Sequence, residues 1–242
     1  MKKQSLLFSF LLLSVMLFGQ TQTTYSETDL RDLASLSPNT PGVRSIDLRY
    51  EGIKGTPFMS EEWQKGSFQL KGKDEFSQDI SVQLNLVEQT LYFQLNNGFT
   101  AILPTAKLQA LRINTDGDNA RLFRVYAENE IEGGSDSKLK FYEVLFEGPF
   151  LLLKQHYKVF READFKGAYS SDRRYDEYVD QSNLWLQEAG KPFQKVKLKK
   201  KNIEDALPGY TDEIQKVMKS EKISLREDID LVQLLTALQN KE

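Results

Sequence analysis

The chain has 242 residues, a formal net charge of -3 at neutral pH, and no cysteine. The lack of cysteine excludes thiolate catalysis, iron–sulfur clusters, disulfides and cysteine zinc sites. The acidic balance argues against nucleic acid as a partner, because phosphate binding favours a basic surface. Hydrophobic residues make up 40% of the chain, so it can bury a substantial core.

An apolar stretch over residues 6–18 follows Lys2 and Lys3, a pattern that is typical of a secretory signal peptide. The stretch is shorter than the roughly 20 apolar residues of a membrane span. We predict cleavage near Gly19 or Gln20, which removes two lysines and no acid and moves the net charge from -3 to -5. The mature chain is therefore expected in the periplasm or outside the cell, without a transmembrane span.

The next segment, residues 21–42, is polar and contains Pro38 and Pro41. It fits either a short helix over 26–36 with Ser26 as the N-cap or a loose N-terminal arm. Both alternatives place the start of the folded domain near Val43.

Apolar and polar residues alternate along much of the chain after Val43, which predicts antiparallel strands with one buried face. Asn97-Gly98 predicts a two-residue hairpin, because both residues accept the positive φ angles of a type I′ turn. The predicted strands lie at 43–50, 66–71, 79–86, 91–95, 99–103, 108–113, 122–126, 183–188 and 193–198.

Residues 138–160 form the most apolar part of the pattern, with two arms that fold on the turn Glu147-Gly148-Pro149. Both faces are apolar near the turn, and one face becomes polar further out. This is typical of a central hairpin in an antiparallel sheet. We expect the turn end, 144–153, to lie under the C-terminal helices.

After residue 199 the apolar period becomes helical, and Ser224-Leu225-Arg226-Glu227 predicts a capping box before the last helix. The fold class is therefore α+β and mainly antiparallel β, with a meander of roughly ten strands as a barrel, half-barrel or sandwich and C-terminal helices packed on it. The predicted organisation is a signal peptide (1–20), an N-terminal arm (21–42), a β domain (43–200) and a helical segment (201–242).

Four residues are candidates for a binding site: Trp63, Arg173, Arg174 and Tyr175. Trp63 follows two glutamates and suits sugar stacking, and the alternative is a core position below a glycine-rich loop. The two arginines and the tyrosine suit carboxylate, phosphate or glycan contacts. Charges that pair with one another on a surface loop would explain the same composition.

His156 is the single histidine, and it lies between Lys154 and Lys158 on the wetter face of its predicted strand. Two neighbouring ammonium groups disfavour its charged form, so we predict a structural role. Residues 114–118 alternate like the start of a calcium loop, but the required glycine and glutamate are missing further on, and a turn is predicted. The sequence therefore predicts no metal site, no cofactor and no catalytic residue.

Several short motifs after Tyr50 have the same order and spacing as motifs of a known protein family. The motifs are Gly55-Thr56-Pro57-Phe58, Glu62-Trp63, Gly66, the run from Tyr157 through Arg161-Glu162-Ala163-Asp164 to Tyr169, Arg173-Arg174-Tyr175-Asp176, and the lysine run that leads into residues 202–207. The chain resembles a family of signal-peptide-bearing proteins of Gram-negative bacteria with no established activity. The resemblance implies export and a shared fold, and it assigns no site residue.

These observations favour an exported, non-catalytic envelope protein that binds an envelope component, a glycan, an apolar ligand or a protein partner. The first alternative is a hydrolase that acts on cell-wall or extracellular polymers through Glu61, Glu62, Asp74, Asp172 or Asp176. The second alternative is a protein-interaction module that uses the C-terminal helices, because exposed apolar stripes mark interaction sites.

Overall fold

The structure is a computed structural model that describes residues 53–114, 120–164, 169 and 173–240. The predicted signal peptide, the predicted N-terminal arm and the predicted strand at 43–50 lie outside the described residues.

One mainly antiparallel sheet dominates the described chain, as the alternating pattern predicts. Its strands are β1 (Ile53–Lys54), β2 (Gln64–Leu70), β3 (Ile80–Asn85), β4 (Thr90–Gln94), β5 (Thr100–Leu103), β6 (Leu108–Ile113), β7 (Arg121–Ala127), β8 (Leu139–Glu147), β9 (Phe150–Arg161), β10 (Asp176–Glu188) and β11 (Gln194–Val196).

The strand order is β1-β10-β9-β8-β7-β6-β2-β3-β4-β5, and β11 also pairs with β10. Only the short contact of β1 with β10 is parallel. The sheet is not closed among the described strands, because β5 pairs only with β4. The predicted α+β class and the predicted meander are confirmed, and the architecture is an open, curled sheet.

Two hairpins have a glycine with a positive φ in their turns. Gly98 has a φ of 81° between β4 and β5, in the region that glycine adopts without strain. Gly190 has a φ of 77° between β10 and β11. A hairpin forms at both places, but the predicted two-residue type I′ turn at Asn97-Gly98 is wrong. Asn97 does not have a positive φ, and the N–H of Gly98 donates to the carbonyl oxygen of Leu95 at 2.8 Å, so residues 96–98 form the loop. β10 begins at Asp176, well before the predicted strand start at residue 183.

The helices are α1 (Glu128–Ile131), α2 (Lys200–Ala206), α3 (Thr211–Ser220) and α4 (Asp228–Gln239). None of these helices is long and apolar enough to cross a lipid bilayer. The predicted capping box is wrong by three residues: Glu227 is the N-cap of α4, and its side chain and that of Asp230 exchange hydrogen bonds with the backbone. An acidic box suits this helix end, because the helix dipole is positive there.

The sheet buries two large apolar clusters. One cluster joins side chains from β2 to β8, including Phe68, Leu84 and Phe141, which shows that these strands curl around a common core. The other lies between the C-terminal helices and the β8–β10 region, where Phe150 and Leu152 are almost fully buried. The turn end of the hairpin therefore lies under the helices on one face, as predicted.

Gly66 shows why one motif of the sequence needs its glycine. A Cβ at this position would lie 2.5 Å from the carbonyl oxygen of Arg112 and 2.6 Å from Cγ2 of Val82. The first contact is with the backbone of paired strand β6, which cannot move without disturbing the sheet.

We expect Gly66→Ala to lower the free energy of unfolding by about 1–3 kcal/mol through overpacking. Urea denaturation measures this change. Gly134→Ala is a comparison without overpacking, since among the described residues no atom beyond its chain neighbours lies within 4 Å of its Cβ position. Its cost comes from the φ of 89°, which is strained in alanine but not in glycine. Equal stability of the wild type and Gly66→Ala would contradict the close packing of β2 against β6.

Candidate functional site

The candidate site is a cleft of about 340 Å³ at the point where β8 and β9 stop pairing. Backbone pairing between these strands ends at Tyr142 and Gln155, whereas β9 continues to pair with β10 as far as Arg161. The lining residues come from five parts of the chain: Leu86, Val87, Gln89, Glu132, Lys140, Gln155, Tyr157, Lys158 and Asn183.

Gln89 closes the inner end of this cleft. Its Nε2 donates to the carbonyl oxygen of His156 at 3.1 Å, and its Oε1 accepts from the backbone N–H of Phe141 at 3.0 Å. The side-chain amide of Gln89 thus lies between the two strands and forms hydrogen bonds to both, as the backbone of an inserted strand would. The hydroxyl of Thr105 donates to the Gln89 carbonyl at 2.6 Å, which fixes the turn that carries the glutamine.

Glu132 is the hydrogen-bonding centre of the cleft wall. Its Oε1 accepts from Lys140 Nζ at 3.0 Å, from the Tyr142 hydroxyl at 3.0 Å and from Gln155 Nε2 at 2.9 Å. Gln155 in turn accepts from Asn183 Nδ2 at 3.2 Å. This chain of contacts holds two amide side chains in fixed orientations, because each amide nitrogen has a defined acceptor.

The charged groups around the cleft compensate one another. Lys140 contacts both Glu128 and Glu132 at 3.0 Å. Burial lowers the Lys140 pKa, but the hydrogen bonds to the two carboxylates outweigh it and raise the pKa above its ordinary value. Burial and the negative charge of Glu132 raise the pKa of Tyr142. Both groups therefore keep their protons at neutral pH.

A second polar cluster occupies the opposite face of the same strands, because successive strand residues point to opposite sides. Glu143 accepts from Arg121 Nε at 2.6 Å and Nη2 at 2.8 Å, and its Oε2 lies 2.6 Å from His156 Nε2. Burial raises the Glu143 pKa, but hydrogen bonds from Arg121 and His156 more than reverse this and lower it to about 2. His156 thus belongs to an internal ion cluster, in keeping with its predicted structural role.

The predicted binding residues do not line the cleft. Trp63 is half-buried just before β2, which lies five positions from β10 in the strand order. Arg173 Nη1 donates to Glu177 at 3.1 Å, and Lys54 Nζ lies 3.2 Å from the centre of the Tyr175 ring. Arg174 is exposed. Residues 173–177 therefore use part of their charge in contacts within the molecule.

The acids proposed for hydrolysis are also away from the cleft. Glu61, Glu62 and Asp74 are exposed. Asp176 accepts from the backbone N–H of Ala163 at 2.7 Å, and Asp172 lies outside the described residues. None of the described acids in this set lines the cleft.

Sequence reasoning missed the residues that do build the cleft. Gln89, Glu132 and Asn183 are single polar residues without a motif, and their partners lie up to 67 positions away in the chain. The available signal was the polar interruption of β9 at Gln155, a buried amide in an otherwise apolar strand half. A buried amide requires partners, and those partners mark a polar network.

This chain matches no known protein family, no curated protein and no solved structure. The resemblance to exported Gram-negative proteins stays a prediction. The fold and the cleft geometry therefore carry the functional argument.

Proposed function

We propose that this chain is an exported, non-catalytic protein that binds an uncharged, hydrogen-bonding ligand in the cleft between β8 and β9. The observation that carries the proposal is charge compensation inside the cleft. Lys140 pairs with Glu128 and Glu132, and Lys158 pairs with Asp180 at 3.3 Å. An ionic ligand would have to displace these internal partners, whereas a neutral ligand would not.

The lining supports recognition by hydrogen bonds and apolar contact. Gln155 and Asn183 present oriented amides, Tyr157 presents a half-buried ring, and the turn before β4 contributes Leu86 and Val87. A volume of about 340 Å³ falls within the range of small-ligand sites, about 300–1,000 Å³. Glycans, peptides and neutral envelope components have this chemistry.

The titratable groups argue against catalysis in the cleft. A general base or a nucleophile needs a pKa near or below the working pH, but the pKa values of Lys140 and Tyr142 are raised. Glu132 already accepts three hydrogen bonds on one oxygen. Each group is suited to orient a neighbour and poorly suited to transfer a proton.

Ligand binding is tested by thermal unfolding of the purified mature chain with neutral glycans, blocked peptides and neutral lipids. A ligand at 100 times its Kd stabilises the folded state by about 2.7 kcal/mol, which raises the Tm by about 5–10 °C for a chain of this size. Asn183→Ala is expected to abolish this shift, and also to lower the Tm of the free protein, because the buried Oε1 of Gln155 loses its donor. Gln187→Ala on the same strand lies outside the cleft and is expected to keep the shift.

The bound ligand should be recovered chemically unchanged, as judged by mass spectrometry. If no member of the panel changes the Tm of the wild type, or if Asn183→Ala responds like the wild type, the cleft is not the binding site.

The hydrolase alternative has one specific observation in its favour. Glu128 and Glu132 approach the same Lys140 nitrogen at 3.0 Å, so their oxygens lie at most twice that distance apart. Retaining glycosidases place two carboxylates about 5–5.5 Å apart. Turnover of a cell-wall polymer that disappears in Glu128→Gln would favour this second candidate over binding alone.

Export is the second half of the proposal, and the leader pattern of Lys2, Lys3 and residues 6–18 supports it. Expression of the full chain in a Gram-negative host, followed by fractionation and intact-mass measurement, tests it. We expect the chain outside the cytoplasm with an N-terminus near residue 20. A cytoplasmic chain that keeps Met1 or Lys2 would contradict export.

A further inference from the structure

We propose that the ligand of the β8–β9 cleft is an extended peptide segment that adds a strand to the open edge of β9. This inference rests on the proposed function, because it names the ligand class of the same cleft. Recognition would use backbone hydrogen bonds to β9 and apolar contacts at alternate side chains.

The open edge follows from the pairing registers. β10 pairs with β9 along its whole length, from Phe150 to Arg161, whereas β8 pairs only with the half that ends at Gln155. Within the described ranges, the outer half of β9 therefore has a strand partner on one side only.

Backbone alternation identifies which groups face the cleft. The N–H and C=O of one strand residue point to the same edge, and those of the next residue point to the other edge. The carbonyl of His156 points into the cleft, because Gln89 donates to it. The backbone groups of Lys158 and Phe160 therefore also point to the open edge, while those of Tyr157 and Val159 pair with β10.

Gln89 already makes part of the contact that such a peptide would make. Its amide is chemically equivalent to a peptide group, and it donates to β9 and accepts from β8 at 3.1 Å and 3.0 Å. An extended peptide would continue this line of contacts outward from Gln89. The turn that holds Gln89 also supplies Leu86 and Val87, which form a wall of the cleft beside the edge.

Charge and apolar exposure agree with a peptide backbone as the ligand. The basic side chains near the edge have internal partners: Lys158 with Asp180, and Lys140 with Glu128 and Glu132. Because these charges are compensated, the open edge of β9 favours a peptide without net charge. Val87 and Val159 are 44% and 42% exposed on this side, which favours a peptide with apolar residues at alternate positions.

Hydrogen exchange followed by NMR tests the proposal on the full mature chain. The probe is a library of acetylated and amidated heptapeptides in which Val, Ile or Phe alternates with Ser or Thr. In the free protein, the amides of Lys158 and Phe160 should exchange faster than those of Tyr157 and Val159. A peptide at 100 times its Kd should slow exchange at Lys158 and Phe160 about 100-fold.

Two variants of Lys158 separate backbone recognition from side-chain recognition. Lys158→Pro removes the N–H that faces the edge, and it leaves the ladder to β10 intact because proline is tolerated at such edge positions. We expect it to weaken peptide binding about 5–10-fold, the effect of one lost hydrogen bond. Lys158→Ala also removes the side chain but keeps the N–H, so it is the matched reference and should bind peptide about 5–10-fold more tightly than Lys158→Pro.

If Lys158→Pro does not fold, peptides with N-methyl groups make the same test on the wild type. Methylation of the amides that face β9 should abolish binding, and methylation of the alternate amides should not. Equal binding of both peptides would overturn the proposal, and so would protection of Lys158 and Phe160 in the free protein. A glycan that shifts the Asn183 signals while no peptide binds would overturn the peptide inference and leave the proposed function standing.

Discussion

Deletion of residues 211–242 is expected to unfold the whole chain and not to release a stable β domain. The deletion removes α3 and α4, whose Ile214, Val217 and Leu234 are fully buried in the cluster shared with the sheet. Without these helices, the apolar side chains of Phe150, Leu152 and Leu186 would be exposed to water, which is unfavourable. Phe150 and Leu152 belong to β9 and Leu186 belongs to β10, so the loss would uncover one face of the two longest described strands.

A pair of point variants on α4 gives the same test without truncation. Leu234 is fully buried and Ile229 is 53% exposed on the same helix. Leu234→Ala should lower the free energy of unfolding by about 2–5 kcal/mol, because it leaves a cavity. Ile229→Ala should change it by less than about 0.5 kcal/mol, as surface substitutions usually do.

Urea denaturation followed by circular dichroism measures both variants and the deletion. A truncated chain with a cooperative transition at the wild-type midpoint would show that the helices are an appendage. That outcome would revive the alternative of an interaction module, which needs the apolar stripes of α3 and α4 to be available to a partner. In the structure those stripes face the sheet.

Much of the fold could be predicted because its causes are local. Gly98 favours a turn by its own backbone preference, and the alternation around Val82 and Leu84 predicts strand β3. The prediction of one buried face is wrong for β3, because Gln83 and Asn85 on its polar face are also buried. The apolar arms of the 138–160 hairpin indicated that something must cover both faces. Each of these inferences needed only residues within one or two elements.

The errors have causes outside the local pattern. β10 extends back to Asp176 through polar residues that alternate poorly, because pairing with β9 stabilises this part of the strand where both faces are partly exposed. Ile229 is apolar, but it lies on the exposed side of α4. The helix begins at Asp228, so the stripe is set by Leu231, Leu234 and Leu238.

The cleft was beyond sequence reasoning for a similar reason. Its centre is one oxygen of Glu132, which accepts hydrogen bonds from residues 8, 10 and 23 positions away. No spacing rule links those positions, since they meet only when α1 packs beside β8 and β9. By contrast, Trp63 and Arg174 were selected by residue type, and they do not line this cleft.

The ion cluster of Arg121, Glu143 and His156 is expected to control acid stability. Hydrogen bonds from Arg121 and His156 hold the Glu143 pKa at about 2, below the ordinary value of 4.5. A lowered folded-state pKa contributes stability that is complete above the ordinary value and is lost as the pH falls through the folded value. For this difference the contribution is about 3 kcal/mol, lost between about pH 4.5 and pH 2.

Glu143→Gln should therefore unfold more easily at pH 7, by about 3 kcal/mol, because Arg121 loses its charged partner in a largely buried site. The variant should also lose less stability than the wild type between about pH 4.5 and pH 2, since its amide does not titrate. Lys154 lies opposite Glu143 in the register, but its ammonium group pairs with Asp228 and does not replace Arg121.

Glu147→Gln is the matched control, because Glu147 lies on the same strand and pairs with Arg124 at 2.8 Å while 55% of its side chain is exposed. Solvent screens this pair, so its loss should cost at most about 1 kcal/mol. Urea midpoints at pH 7, 4.5 and 2.5 for the three proteins distinguish the two sites. Parallel pH profiles for the wild type and Glu143→Gln would mean that Glu143 does not carry the acid sensitivity, and that the Arg121 contact does not hold its carboxylate ionised.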